Sequence, residues 1–154
     1  RYDGVRYGHR AAEVKTLAEL YGRSRNEGFN TENKRRIMIG SFVLSSGFFD
    51  AYYMQAQKAR TLLINEFKQL FAEYDALLMP VAPTPAFRLG ENTNDPIKMY
   101  LADIMTVPAS LAGLPAISVP AGTSDEGLPI GVQLIGDRQS DSNLLKLASE
   151  VEAA

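Results

Sequence analysis

FFDAYYMQAQKARTLLINEFKQLFAEYDALLMP, residues Phe48 to Pro80, changes its hydrophobic period near its end, and that change decides the fold class. Phe49, Tyr52, Tyr53, Ala56, Ala59, Leu63, Phe67, Leu70, Phe71 and Tyr74 recur at steps of three and four, the spacing that lines one face of an α-helix. A helix from Asp50 to Glu73, starting after a stop at Gly47, is ~36 Å long at 1.5 Å per residue. Its apolar stripe is expected to face a core. Ala76 to Met79 is instead a continuous apolar run closed by Pro80, the pattern of a buried strand. A long helix delivered into a short apolar strand indicates a layered α/β domain and not a helical bundle.

Working outward, Ala11, Val14, Leu17, Ala18 and Tyr21 share a helical face, which predicts a short amphipathic helix over Ala11 to Tyr21. Gly22 and Gly28 punctuate the next stretch. A second helix is predicted from about Glu32 to Ser45, with Thr31 as its candidate cap. Downstream of Pro80, prolines 83 and 85 predict an extended, semi-rigid segment from Val81 to Gly90, then a surface loop over Glu91 to Pro96. Pro96 suits the first turn of a helix that carries Met99, Tyr100 and Asp103 before Pro108 breaks or kinks it. Ala116 to Pro120 and Ile130 to Ile135 read as two strands of an antiparallel hairpin, joined by the polar turn Thr123 to Pro129. Leu144, Leu145, Ala148 and Val151 predict a terminal amphipathic helix. Three strands make a narrow sheet, so they are expected to belong to a wider one.

The 154 residues are enough for one domain with a substantial core, and no internal repeat is visible. No apolar run approaches the ~20 residues that cross a bilayer. There is no cysteine and His9 is the only histidine, which excludes thiolate metal sites and disulfides and argues against a zinc or iron centre. The redox compartment stays open, and a cytosolic protein fits. Charge is uneven: residues 1–36 hold nine Lys/Arg and five Asp/Glu, a balance of +4, whereas the remainder holds seven and thirteen, a balance of −6. The basic part suggests a surface able to meet an anion. Interspersed acids and the lack of aromatic interleaving favour a solvated face over nucleic-acid binding.

Arg35 and Arg36 are adjacent in a predicted helix and point about 100° apart, so at most one can readily face inward. An inward guanidinium matches a carboxylate bidentately, worth roughly 1.5 to 3 kcal/mol. The more ordinary role is a surface pair with Glu32, four residues before Arg36. Asp103 lies in Tyr-Leu-Ala-Asp-Ile-Met, an apolar context in which a buried carboxylate needs a cation or amide partners. An α-ammonium group is one candidate; a cap or local turn acceptor is the common alternative. Ser45-Ser46-Gly47 lacks the base and flanking glycines of a nucleophile, so both serines read as helix-end and packing residues. Lys34 and Lys58 lack a serine pair to act on, and His9 reads as a surface or capping residue.

Taken together, RYDGVRYG, EGF, KRRIMIG, DAYYMQAQKAR, PTPAF, GENTNDP, MYLADIMTVPASLAGLPAISVP and LPIGVQLIG resemble the amidase signature family along essentially the whole chain. LAGLP, ISVP and LPIGVQLIG occur across amidases. KRRIMIG and MYLADI resemble more narrowly the C-terminal part of the glutamine-hydrolysing subunits of tRNA-dependent amidotransferases. Ser110 before Leu-Ala-Gly and the Phe48–Phe49 pair before Asp50 depart from that pattern. The resemblance implies an α/β/α layered fold with a mixed sheet, of which residues 1–154 are a C-terminal piece lacking several strands. It also implies that Arg36 and Asp103 hold the α-carboxylate and α-ammonium of glutamine. The family's catalytic Ser-Ser-Lys residues match nothing here and are expected upstream of Arg1, so the piece alone is expected to be inactive. Partner subunits B and C, ATP and magnesium held by the B partner, and a misacylated tRNA complete what the resemblance implies. A stand-alone amidase of other specificity and a non-catalytic docking module are the rival readings.

Overall fold

The computed structural model describes residues 5–92 and 95–153. Arg1 to Gly4 of RYDGVRYG, Thr93 and Asn94 of GENTNDP and of the expected 91–96 loop, and Ala154 lie outside the described residues. The chain divides into two compact units, Arg1–Ala56 and Gln57–Ala154.

The first unit holds α1 (Leu17–Gly28), α2 (Thr31–Val43) and a π-helical turn over Phe49–Met54. Helix α1 starts six residues later than its periodicity suggests, because Thr16 ends the extended chain and its Oγ1 accepts the Glu19 N–H at 3.1 Å. The Glu19 carboxylate in turn accepts the Lys15 N–H at 2.9 Å, one residue short of a reciprocal capping box. Gly22 therefore sits inside a helix. Asn30, and not Thr31, caps α2, its side chain accepting the Asn33 N–H at 2.8 Å. Val5, Ala11 and Leu20 are buried together with Ser24, whose Oγ accepts the Ala11 N–H at 3.0 Å. Thr16→Ala is expected to remove about 1 kcal/mol of stability. Faster amide exchange at Glu19 checks the site of the loss.

The second unit is built on an antiparallel sheet of order β1-β3-β2, with β1 at Ala76–Pro80, β2 at Ala116–Thr123 and β3 at Pro129–Gly136. The hairpin and the apolar strand stand where the pattern places them, but β1 is not the buried strand expected: it is an edge of the sheet, and Leu78 is 61% exposed. Helix α6 (Asp141–Ala153) lays Leu144 and Ala148 against Val119 and Leu134, with Ile117, Val132, Leu147 and Val151 around them. Leu145 is exposed, although the sequence pattern groups it with Leu144. Gly136 permits the close return from β3 to α6, since a Cβ there would meet Ser140 Oγ at 2.5 Å.

The single helix expected over Asp50 to Glu73 is the π-helical turn followed by α3 (Gln55–Leu70). Its aromatic stripe is not core: Phe49, Tyr52, Tyr53 and Tyr74 are exposed, and Phe67 and Phe71 are half-buried. Among the described residues no element packs broadly along α3. Phe49 and Tyr53 stack at 5.0 Å, and Phe67 with Phe71 at 6.3 Å, so the rings shield one another instead.

The helix expected to carry Asp103 ends early. Helix α4 (Pro96–Leu101) is capped by Asp95, and a separate α5 (Val107–Ala112) begins with Pro108 in its first turn. The missing N–H of a proline is harmless there, so Pro108 starts a helix and does not kink one. Gly113 ends α5 at φ +73°, a left-handed conformation suited to glycine.

Candidate functional site

Arg36 stands on the second turn of α2. Glu32 lies between the two arginines at the three- and four-residue steps: its Oε2 accepts Arg35 Nη1 at 2.7 Å and its Oε1 accepts Arg36 Nε at 2.9 Å. Both arginines are exposed, Arg36 more so, with 64% of its side chain accessible against 47% for Arg35. Neither of them turns inward within this unit. Exposed helical pairs contribute only about 0.3 to 0.5 kcal/mol, so the bonds to Glu32 hold neither guanidinium tightly.

Asp103 belongs to the second unit, in the turn between α4 and α5. Its carbonyl accepts the N–H groups of Thr106 at 3.1 Å and Val107 at 3.2 Å and the Thr106 hydroxyl at 3.1 Å, which seats the start of α5. Its side chain is exposed. The apolar surroundings suggested by Tyr-Leu-Ala-Asp-Ile-Met therefore do not bury the carboxylate, which keeps its charge solvated and able to meet a cation.

The turn that carries Asp103 is anchored from beneath by a residue that neither motif nor periodicity singles out. Gln133 on β3 is only 3% exposed, and its Nε2 donates to Met105 O at 2.7 Å and Pro80 O at 3.2 Å. The signal was available, as an uncharged amide inside the apolar run Ile130 to Ile135 needs partners. An open cleft of about 780 Å³ lies beside this turn. The proline-rich segment with Phe87, α4 with Lys98 and Leu101, and the β2–β3 turn with Asp125 and Glu126 form its walls, and Ala102 reaches into it. Gly131, lining a neighbouring hollow, admits Ser118 Oγ and Val81 at distances a Cβ would crowd.

Other candidates take structural roles. Ser45 Oγ donates to Phe42 O at 2.6 Å at the end of α2, as expected for a helix-end serine, but the residue is exposed and packs into no core. His9 Nε2 donates to Glu27 Oε2 at 2.7 Å on the surface. That bond first, and the one from Arg23 after it, hold the Glu27 carboxyl below its usual range. Among the described residues no helix is long and apolar enough to cross a membrane, and no three acidic or histidine side chains form a metal-holding group.

A family model described as Amidase matches residues 1–145. A protein of Geotalea daltonii named as the A subunit of glutamyl-tRNA(Gln) amidotransferase is 57% identical over 99% of this chain, and its namesake in Koribacter versatilis is 54% identical over 100%. The chain spans 31% and 32% of those two relatives. Among solved structures, the Thermotoga maritima protein of the same name superposes with a TM-score of 0.65 at 47% identity, over 88% of this chain and 29% of that one. A crystal structure described only as an amidase gives 0.66 at 26% identity, over 88% of this chain and 32% of that one.

Proposed function

The chain belongs to the amidase family, and from that membership we propose that it is the C-terminal part of the glutamine-hydrolysing subunit of a tRNA-dependent amidotransferase. The observation that supports this most is the 57% identity to a protein of that name across 99% of the chain. The matched span takes in KRRIMIG and MYLADI, segments narrower than the amidase pattern. In this reading Arg36 takes the α-carboxylate of glutamine and Asp103 its α-ammonium, two opposite charges that orient the side-chain amide for attack. Both groups are solvent-reachable, as substrate-binding charges must be.

The catalytic serines and lysine are assigned to no residue of this chain. In the complete protein, acyl transfer to serine releases ammonia, and water regenerates the enzyme with release of glutamate. The ammonia amidates Glu-tRNA(Gln) or Asp-tRNA(Asn) in the B partner, where ATP and magnesium activate the misacylated carboxylate, and the C partner completes a cytoplasmic complex.

Asp103→Ala in the full-length protein, assembled with its B and C partners, is expected to raise KM for glutamine by one to two orders of magnitude, about 1.4 to 2.7 kcal/mol of binding. An unchanged KM rejects the ammonium role. Efficient turnover of simple amides with no preference for glutamine points to a stand-alone amidase instead.

The exposed aromatics from Phe49 to Tyr74 favour one second reading, a docking face for the B or C partner. A remainder of the protein, at the size of the relatives, would bury the same face. Capture of the folded chain by the purified B and C partners supports docking, and failure of capture assigns the face to the interior of the full-length protein.

A further inference from the structure

Three facts converge on Gln133. It is a polar side chain 3% exposed in the central strand of the sheet. Its amide nitrogen spans two carbonyls from separate parts of the second unit, Pro80 O at the end of β1 and Met105 O in the turn after α4. That turn is the one in which Asp103 stands, two residues before Met105, and within it the Thr106 and Val107 N–H groups donate to Asp103 O. The turn is therefore tied to the sheet through this side-chain amide, and the exposed Asp103 carboxylate projects from the tied segment.

We propose that Gln133 is a positioning residue for substrate selectivity: by holding Met105 O it fixes where Asp103 meets the α-ammonium of the substrate. The proposal rests on the ammonium-binding role of Asp103 given above. A buried amide with both donor contacts made is well suited to this, because an apolar replacement leaves two carbonyls unpaired and the turn relaxes toward water to satisfy them. The displacement falls on a charge–charge contact, whose strength depends on separation. A shift of the order of an ångström is enough to weaken positioning substantially.

The test compares two substrates in the full-length protein within its complex: glutamine, and 4-carbamoylbutyrate, which keeps the amide and the carboxylate but has hydrogen in place of the α-ammonium. The readout is the ratio of kcat/KM for glutamine to that for the analogue, a quantity independent of how much of a variant is correctly folded. Gln133→Leu and the closer isostere Gln133→Met are expected to lower this ratio by about tenfold, mainly through KM for glutamine, and to leave the analogue's KM unchanged. Equal losses on both substrates overturn the proposal and leave Gln133 a structural residue. Asp103→Asn serves as the reference. If Asp103→Asn leaves the ratio intact, the ammonium role itself has failed; if Asp103→Asn collapses it and both Gln133 variants do not, only the positioning role is lost.

Discussion

Arg36→Ala in the full-length protein is expected to raise KM for glutamine by one to two orders of magnitude, about 1.4 to 2.7 kcal/mol. Arg35→Ala is expected to change it by less than about twofold. The contrast is informative because the two arginines share one partner. Each donates to a different oxygen of Glu32, at 2.7 and 2.9 Å, and each bond is an exposed helical pair. Losing either bond to Glu32 costs the helix about the same few tenths of a kcal/mol. If Arg36 acts only through Glu32, the two variants behave alike; a role in carboxylate binding separates them. Arg36→Lys sharpens the distinction further, since it retains the charge but loses the planar fork that binds a carboxylate bidentately. An intermediate KM is expected for lysine, and parity of Arg35→Ala with Arg36→Ala would falsify the carboxylate role. Steady-state glutaminase kinetics on the assembled complex are the measurement.

The pairwise architecture was legible where two local signals agreed. Ala76 to Pro80 and the hairpin at 116–136 carry both apolar content and turn or proline punctuation, and all three strands stand there. Helix starts differ from their expected places where a single side chain decides them: Thr16 and Asn30 each cap by one hydrogen bond that periodicity does not register. The expected helix ended at Leu101, well before Pro108, which instead sits in the first turn of a separate helix and left Asp103 in the turn between the two. The aromatic stripe differs for another reason. Helical spacing states that one face is apolar, but not which surface covers it, and along α3 no element of the described residues packs broadly against it. Arg36 and Asp103 owe their assignment to resemblance, because their chemistry in isolation, a helix-surface arginine and a turn aspartate, is ordinary. Gln133 was not singled out, although one amide in an apolar strand is a signal that needs no resemblance.

The largest effect on stability is expected at Ile135, not in the aromatic helix. Ile135 is fully buried in the central strand, paired with Leu77 on one side and Ala116 on the other, and Leu134 beside it packs beneath α6. Truncation to alanine deletes buried methylene and methyl groups at a point where strands on both flanks restrict collapse, so Ile135→Ala is expected to cost about 2 to 5 kcal/mol. For a domain whose whole stability is about 5 to 15 kcal/mol, that is a large fraction. Leu145→Ala, by contrast, trims a residue 58% exposed on the outer side of α6, and a change within about 0.5 kcal/mol is expected. Urea unfolding of both variants, read at constant slope, checks the pair. The same comparison decides between two hydrophobic surfaces: Leu62→Ala on α3, at 65% exposure, should resemble Leu145→Ala if the sheet and α6 are the core of this unit. A loss at Leu62 as large as that at Ile135 would instead mean that the face of α3 is buried in solution, which the docking reading and burial by the rest of the full-length protein both require of the assembled complex, and which the chain by itself does not provide.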